Sequence, residues 1–272
     1  MLKMNNVTYE YDKDNIALKN INIDLSKGNI IGIIGANGSG KSTLFMNFAG
    51  ILKPTYGEIL YKGKHLKYNK KSLYELRKDI GIVFQDPDKQ IFYSNVYDDI
   101  AFALRNIGLD EDTIKTRVNN ALLGVDGFEF KDKPVHFLSY GQKKRVAIAS
   151  VLAMQNNIIL FDEPTAGLDP ISTKSIVNIL KDIYNRGRKV VISSHDMDLI
   201  YEICDYVYVL TRGSIIDEGT IDEIFLKDDI LKQAGLGQPW LVKVHKNMKL
   251  PLFRNEEDLY RYWDKINVDV LI

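Results

Sequence analysis

Residues 29–42 read N-I-I-G-I-I-G-A-N-G-S-G-K-S, and this stretch decides the fold. Its first half is a nearly continuous apolar run, which is typical of a strand buried on both faces of a parallel sheet. Its second half, residues 35–42, fits the pattern G-x-x-x-x-G-K-[ST], and a plausible helix follows. A glycine-rich loop between a buried strand and a helix N-terminus presents backbone N–H groups to phosphate oxygens. The sequence therefore predicts a cradle for nucleotide phosphates.

Phosphate chemistry suggests roles for the residues of this loop. We expect Lys41 to reach the β- and γ-phosphates and the Ser42 hydroxyl to bind Mg²⁺. The predicted ATP-binding residues here are Gly35, Asn37, Gly38, Ser39, Gly40, Lys41, Ser42 and Thr43. A glycine-rich turn without a ligand is the alternative, and the flanking strand and helix disfavour it.

Apolar runs of the same kind recur along the chain, with helical patterns between several of them. They cover residues 80–84, 157–161, 189–194 and 206–210. Alternation of strands and helices predicts a layered α/β core with a mostly parallel sheet and right-handed crossovers.

Two regions depart from this alternation. The first 28 residues alternate apolar and polar positions around the turn D-K-D-N, and residues 58–64 look like a further strand of that kind, which predicts an N-terminal antiparallel β-subdomain. The region from about residue 87 to residue 155 has mostly helical patterns, which predict an inserted α-helical subdomain. We expect one domain over residues 1–222 and an appendage over residues 223–272. The appendage fits either an amphipathic segment packed on the core or a dimerisation or regulatory surface.

Composition limits the classes of function. The 272 residues carry 36 Lys plus Arg and 36 Asp plus Glu, so the formal net charge is zero and nucleic acid is not an expected partner. The single cysteine, Cys204, excludes an intrachain disulfide and is interpreted as a small buried residue. No apolar run approaches about 18–20 residues and no signal peptide is visible. We therefore expect a soluble, cytosolic chain that must dock on a separate protein to serve a membrane process.

Two adjacent acids end one of the predicted buried strands. Residues 157–163 read N-I-I-L-F-D-E, and ligands of open parallel sheets collect at the carboxyl ends of the strands. Asp162 is predicted to hold Mg²⁺, directly or through water, and Glu163 to polarise the attacking water as general base. A solvated turn is the alternative, and the phosphate cradle argues against it.

Polar residues follow two other predicted strands in the same way. His195 comes directly after K-V-V-I-S-S and is predicted to bond the γ-phosphate or to orient the water. Gln85 follows I-G-I-V-F, and its neutral amide can contact both Mg²⁺ and the attacking water.

Adenine stacking and a subunit seam are predicted from single residues. Tyr11 ends the first hairpin strand and is the candidate for stacking on adenine, in preference to Tyr9, which we expect on the opposite strand face. Asp169, in A-G-L-D-P, follows the acidic pair closely enough to lie at a subunit seam.

The segment L-S-Y-G-Q, residues 138–142, is called the signature segment below. It stands where a loop becomes the helix Q-K-K-R-V-A-I-A, so Ser139 is a good N-cap and the free N–H groups form an anion site. It is far from Lys41 in the sequence and lies in the other subdomain. We therefore predict that Ser139, Gly141 and Gln142 act in trans, on the γ-phosphate of a partner's ATP. An ordinary capped helix is the alternative.

In this order the motifs resemble those of the ATP-binding-cassette ATPases. The resemblance covers about residues 2–225 and implies a P-loop NTPase fold with ATP and Mg²⁺ as cofactors. It also implies a head-to-tail dimer in which each phosphate loop and the opposite signature segment enclose one ATP. ATP closes such a dimer and hydrolysis reopens it.

A closer resemblance, to the ATPase subunits of energy-coupling-factor importers, lies in V-F-Q-D-P-D-K-Q-I-F, residues 83–92, and in the stretch after it. The signature segment with its helix is similar to the cobalt-type members. The chain departs from the wider family at Tyr140, where glycine is usual. The resemblance implies a homodimer or a heterodimer with a related ATPase, attached to a transmembrane coupling subunit and a substrate-binding membrane subunit at the inner face of the cell membrane.

Several functions fit a cassette of this kind. We favour a motor for uptake of cobalt or nickel ions over one for vitamins. A machine acting on DNA or ribosomes is disfavoured by the absence of sustained heptads, by the presence of a single cassette and by the neutral net charge. A scaffold without turnover is disfavoured by the presence of Glu163 and His195. The sequence predicts that residues 86–92 form the docking groove for the membrane partner.

Overall fold

Two β-sheets organise the chain, of which the computed structural model describes residues 2–270, with side chains through residue 266. The first sheet is antiparallel, in the order β2-β1-β4-β5. Its strands are β1 (Leu2–Asp12), β2 (Asn15–Asp24), β4 (Tyr56–Tyr61) and β5 (Lys64–His65). The predicted N-terminal hairpin is confirmed by the antiparallel pairing of β1 with β2.

The second sheet has six strands in the order β10-β9-β3-β8-β7-β6. They are β3 (Ile30–Ile34), β6 (Ile80–Val83), β7 (Ile158–Asp162), β8 (Lys189–Ser194), β9 (Tyr206–Thr211) and β10 (Ser214–Thr220). All neighbours from β9 to β6 are parallel, and β10 alone pairs antiparallel, at one edge. The mostly parallel α/β core is therefore confirmed. Every residue of β3 and of β7 is buried, as the apolar runs predict.

Eleven helices surround these sheets in the described part of the chain. They are α1 (Lys41–Phe48), α2 (Lys70–Asp79), α3 (Val96–Asn106), α4 (Glu111–Leu123), α5 (Tyr140–Ala153), α6 (Pro170–Asn185), α7 (Met197–Ile203), α8 (Ile221–Phe225), α9 (Asp228–Gln233), α10 (Trp240–Met248) and α11 (Glu256–Val270). Helices α3, α4 and α5 lie in the region of the predicted helical subdomain and pack on one another. Their buried side chains join one apolar cluster with a face of the parallel sheet.

The parallel sheet carries a separate apolar cluster on each face. One cluster contains the antiparallel sheet and α1, with Leu18, Phe45 and Leu160 among its buried members. The other contains α3 to α7 and the chain after α7. Burial on both faces fixes the register of β3 and β7, and with it the position of the loops at their carboxyl ends.

The C-terminal helices are attached to α7. The Trp240 N–H donates to Asp198 Oδ1 at 2.7 Å, and the Arg254 guanidinium donates to the Cys204 carbonyl at 2.6 Å. Val242 and Phe253 are buried in the same cluster as α7. Helix α8 spans the predicted boundary between residues 222 and 223, and the last two residues of the predicted appendage lie outside the described range. No helix within residues 2–270 has the length and apolarity needed to cross a bilayer.

Cys204 provides a test of the packing between α7 and the parallel sheet. Its side chain is 1% exposed, and burial raises the pKa of the thiol far above its usual range. Because the thiolate is the reactive form, we expect a maleimide to label the native chain at least about 10³-fold more slowly than the unfolded chain. Mass spectrometry over a urea series measures this difference. Rapid labelling of the native chain would contradict the described packing.

Candidate active site

The phosphate loop begins where β3 ends. Gly40, the residue before α1, has φ +109°, and a Cβ there would lie 2.8 Å from the Ala17 carbonyl oxygen. At Gly35 a Cβ would lie 2.2 Å from the Leu210 carbonyl oxygen. Glycine is therefore required at both positions, once for the backbone conformation and once for the close approach of β9.

Lys41 turns its ammonium back over this loop. Nζ donates to the Gly35 carbonyl at 2.7 Å and to the Ala36 carbonyl at 3.3 Å, and the side chain is buried. The same Nζ lies 3.3 Å from Glu163 Oε1. The ammonium thus bridges the loop after β3 and the loop after β7, two strands separated in the sheet by β8.

The next two residues point in different directions. The Ser42 side chain is exposed in the cleft, whereas Thr43 is buried and its Oγ1 lies 3.1 Å from the Tyr11 hydroxyl. Tyr11 itself lies in the cleft. The expectation that Tyr9 occupies the opposite strand face is wrong, because the two rings meet edge to face at 5.0 Å. Residues two apart share a face of a strand, and the irregular register of β1 against β2 does not separate them.

The acidic pair sits at the carboxyl end of β7, and both side chains are buried. Asp162 Oδ1 accepts a hydrogen bond from the Ser193 hydroxyl on the neighbouring strand β8. The Glu163 N–H donates to the Ser193 carbonyl at 3.0 Å. Glu163 has φ +46°, a left-handed conformation that costs a non-glycine residue about 1–2 kcal/mol. The end of β8 therefore holds the acidic pair in a strained turn.

Three groups surround the Glu163 carboxylate. His195 Nδ1 lies 2.9 Å from Oε2, the Ser194 hydroxyl donates to the same oxygen at 3.5 Å, and Lys41 makes the ionic contact with Oε1. Oε1 has no hydrogen bond among the described residues despite this contact. The carboxylate is thus held by one oxygen while the other keeps a lone pair for a further donor.

Gln85 follows β6 and lines the same cleft. Its carbonyl accepts hydrogen bonds from Lys144 Nζ and, at 3.2 Å, from the Tyr140 hydroxyl. Lys144 also donates to the Glu163 carbonyl at 3.3 Å. Burial lowers the pKa of Lys144 to about 8, and the nearby carboxylates, that of Asp162 first, oppose the shift.

The sequence interpretation did not assign Lys144, Ser193 or Arg212, which also lines the cleft. Lys144 carried a usable signal, because it is a charged residue one helical turn before the buried Ile148 of α5. Ser193 lies near the end of β8, and Arg212 lies in the turn between β9 and β10. Neither position has a sequence pattern that marks it as part of the site.

The signature segment forms the predicted N-terminus of α5. Ser139 is the N-cap, and its Oγ accepts from the Gln142 N–H at 3.3 Å while Gln142 Oε1 accepts from the Ser139 N–H at 2.9 Å. This capping box occupies the Gln142 side chain. At Gly141 a Cβ would lie 3.1 Å from Ser172 Oγ. The signature segment does not line the cleft that holds Lys41.

Asp169 is exposed and caps α6. Its carboxylate accepts from the Ser172 N–H at 2.9 Å and from the Ser172 hydroxyl at 2.7 Å, and these bonds lower the pKa of Asp169 below its usual value. The contact of Ser172 with Gly141 places Asp169 beside the signature segment, on the surface where a subunit seam is predicted.

The cleft between the phosphate loop and the first hairpin has a volume of about 640 Å³. Volume alone does not identify it, because a cavity of about 650 Å³ lies between the end of α4 and α6. The chemistry distinguishes them. Only the first joins a glycine-rich loop, a buried lysine and a buried glutamate, within the residues that the structure describes. This set can bind the phosphates of a nucleotide and place a proton-accepting carboxylate next to them.

The donor set beside the cleft fits Mg²⁺. Ser42 and Gln85 line the cleft, and the Asp162 carboxylate lies next to Glu163 at the end of β7. Hydroxyl, amide and carboxylate oxygens are the ligands that Mg²⁺ accepts, together with phosphate oxygens.

Comparison with known sequences places this site in a family. The ABC transporter family profile matches residues 18–166. The chain is 47% identical to the cobalt import ATP-binding protein CbiO of Salmonella typhimurium over 265 residues, which is 97% of each protein. It is 48% identical to the energy-coupling factor transporter ATP-binding protein EcfA of Methanocaldococcus jannaschii over 233 residues, which is 85% of this chain and 83% of that protein.

Solved structures give the same result. CbiO1 of Clostridium perfringens, described as part of the ABC transporter complex CbiONQ, matches with a TM-score of 0.77 and 43% identity and covers 90% of this chain and 98% of its own. A dimeric ATP-binding cassette bound to ADP and Pi matches with a TM-score of 0.74 and 29% identity, covering 81% of this chain and 99% of its own.

The position of Lys41 predicts a strong effect on nucleotide affinity. Lys41→Ala removes a charge-assisted contact worth about 1.5–3 kcal/mol, so we expect ATP to bind about 10- to 150-fold more weakly. Titration with a fluorescent ATP analogue measures the affinity. Lys13→Ala, which removes an exposed positive charge from the first hairpin turn, is the matched control. Equal affinity in the two variants would show that Lys41 does not contact phosphate.

Proposed function

The chain belongs to the ABC transporter family, and on this premise we propose that it is the ATP-hydrolysing subunit of an energy-coupling-factor-type importer. Members of the family bind ATP, and this chain is an ATPase of that kind. The observation that carries the proposed catalytic roles is the buried Glu163 carboxylate held between Lys41 and His195 at the end of β7.

Glu163 is the proposed general base. Its Oε1, without a hydrogen-bond donor among the described side chains, accepts the proton of the attacking water. The water oxygen bonds to the γ-phosphorus, the bond to the bridging oxygen of the β-phosphate breaks, and ADP and phosphate leave. His195 fixes the carboxylate through Nδ1 and keeps Nε2 for a γ-phosphate oxygen, while Lys41 neutralises phosphate charge.

The remaining predicted residues complete the proposed site. Ser42, Gln85 and Asp162 would hold Mg²⁺, which when bound offsets the negative charge of the β- and γ-phosphates. Tyr11 provides the aromatic face for adenine at the mouth of the cleft.

We also propose that two cassettes pair head to tail. The signature segment at the N-terminus of α5 does not line the chain's own Lys41 cleft, so the Gly141 N–H and the Ser139 side chain can meet phosphate only in a second subunit. Asp169 lies beside them at the seam. The dimeric cassette of similar fold supports the pairing of two cassettes. Because the capping box occupies both the side chain and the N–H of Gln142, Gln142 would contribute by fixing the N-terminus of α5.

A surface for the membrane partner is proposed where the segment 86–92 ends and α3 follows. The aromatic cluster of Phe92, Tyr93 and Phe102 has ring centroids 4.7–5.5 Å apart, and Phe92 is 65% exposed. The buried Asp99 carboxylate accepts from the Phe92 and Tyr93 N–H groups at 3.0 and 3.2 Å and so fixes this turn. An exposed, rigid aromatic cluster is suited to an interface anchor.

The proposed cargo is a cobalt or nickel ion, carried by a separate membrane component. The cobalt import relative matches over 97% of both chains, including the C-terminal helices, and supports the metal-type branch over the vitamin-type branch. On this proposal the chain works on the cytoplasmic face of the membrane, docked through the aromatic cluster.

Replacing the proposed base tests the catalytic assignment. Glu163→Gln keeps the shape of the side chain but cannot accept the proton, so we expect turnover to fall by about 10²–10⁴-fold with ATP binding retained. The variant should accumulate as an ATP-bound dimer, which gel filtration detects. Glu202→Gln, an exposed residue paired with Lys181, is the control. Unchanged turnover in Glu163→Gln would eliminate Glu163 as the base.

Phe92→Asp tests docking and cargo together. When the chain is co-expressed with its membrane subunits in cells that lack other cobalt uptake, we expect ATP-dependent accumulation of radioactive cobalt. Phe92→Asp should abolish uptake and co-purification and leave the ATPase activity of the isolated chain unchanged, since a charge replaces an interface anchor. Asp88 is less suitable for this test because it pairs with Lys143 at 2.7 Å.

Phe128→Asp, an exposed aromatic elsewhere in the helical region, is the matched control for Phe92→Asp. Uptake of a vitamin instead of cobalt or nickel would overturn the metal assignment. Intact co-purification of Phe92→Asp would overturn the docking assignment alone.

A further inference from the structure

Two polar side chains of α5 have no part in the roles proposed above. Tyr140 and Lys144 are one helical turn apart, and the Lys144 ammonium lies 5.9 Å from the centre of the Tyr140 ring. Lys144 is completely buried, and Tyr140 is partly exposed. Tyr140 belongs to the signature segment, and Lys144 lies two residues after its end.

Both side chains bond to the loop that carries Gln85. The Tyr140 hydroxyl and Lys144 Nζ donate to the same carbonyl, that of Gln85. The Tyr140 ring also packs on the chain between the acidic pair and Asp169, since a Cβ at Gly167 would lie 3.4 Å from Tyr140 Cε1. Helix α5 is thus tied to the loops after β6 and β7.

Lys144 in addition fixes the backbone of Glu163. The Glu163 carbonyl accepts from Lys144 Nζ, and the Glu163 N–H donates to the Ser193 carbonyl. Glu163, whose carbonyl and N–H make these two bonds, has φ +46°. Such a conformation persists only where the surroundings determine it on both sides. Lys144 thus adds a side-chain restraint to those that Ser193 and Ala166 place on the peptide groups of Glu163.

Burying the Lys144 ammonium at this position is energetically unfavourable. Removing it from water costs several kcal/mol, and an apolar side chain of similar length would fill the same volume without that penalty. Its three donors match the two carbonyls and the nearby carboxylates, among which Asp162 has the largest influence. The charge therefore acts on the positions of those groups and not on the packing of α5 alone.

We propose that Tyr140 and Lys144 are positioning residues that connect the two ATP sites of the dimer through α5. This inference rests on the proposed function, in which the signature segment contacts the partner's ATP. The N-terminus of α5 then senses nucleotide in the opposite site, and the next turn of the same helix sets Gln85 and Glu163 in its own site. Through these two links, the partner's ATP would hold Gln85 and Glu163 in the positions that turnover requires.

Lys144→Met and Tyr140→Phe test this connection in the full-length ATPase. A hydrogen bond from a charged donor is worth about 1.5–3 kcal/mol and a neutral one about 0.5–1.5 kcal/mol. We expect kcat to fall about 10- to 150-fold in Lys144→Met and about 2- to 10-fold in Tyr140→Phe. The affinity for ATP should stay within about twofold, and the Hill coefficient for ATP in turnover should fall towards about 1. ATP-induced dimers should still form when each variant is combined with Glu163→Gln.

Lys189→Met is the matched control for Lys144→Met. Lys189 is also a largely buried lysine that donates to two carbonyls, those of Leu25 and Gly28, but it lies at the opposite end of the parallel sheet. Tyr208→Phe, which removes a hydroxyl bonded to the Asp24 carbonyl, is the control for Tyr140→Phe. If Lys144→Met does not fold, Tyr140→Phe, which loses only a hydroxyl, decides the question.

The outcomes separate this inference from the proposed function. A fall in kcat without a change in ATP affinity or dimer formation supports it. A kcat equal to that of the controls overturns it, and so does a parallel loss of ATP binding and dimer formation, which would make the two residues purely structural. A wild-type chain without ATP turnover would instead contradict the proposed function.

Discussion

The contact between the Lys41 ammonium and Glu163 Oε1, 3.3 Å long and buried, is the constraint on which the site depends. Each charge alone would cost several kcal/mol in this environment. Neither loop can therefore move away without leaving the other charge buried and unpaired. The contact joins the ends of β3 and β7 across β8. It brings the proposed phosphate-binding lysine and the proposed general base into one cleft, although the chain separates them by more than a hundred residues.

The rest of the fold supplies rigidity to this pair. β3 and β7 are buried on both faces, so their ends cannot slip by a residue without placing apolar side chains wrongly. The backbone strain at Glu163 is tolerated because Ser193 and Lys144 bind its two peptide groups. Strain held in this way prevents the carboxylate from relaxing towards solvent, and the energy that holds it comes from the buried sheet.

Much of this could be predicted from the sequence because the determining groups are contiguous. The phosphate loop, the acidic pair and the capping box around Ser139 are each specified by a few adjacent residues whose local structure has one good solution. The prediction that Tyr9 and Tyr11 lie on opposite faces of β1 is wrong, because residues two apart in a strand lie on the same face. The roles of Ser193 and Lys144 depend on carbonyl groups of distant residues. A backbone carbonyl has no sequence identity, so a pattern cannot show which side chain reaches it.

Tyr140 illustrates how a departure from a family pattern acquires a physical meaning. Backbone N–H groups at the start of α5 survive the loss of glycine at this position, because the capping box, and not residue 140, fixes their direction. The added side chain instead reaches inward, to the Gln85 carbonyl and the backbone at Gly167. A glycine there would leave Lys144 as the sole link from α5 to that carbonyl among the described contacts. The tyrosine therefore ties the N-terminus of α5, the proposed anion site, to the loops that carry Gln85 and Glu163, and on the proposal above α5 links the two ATP sites.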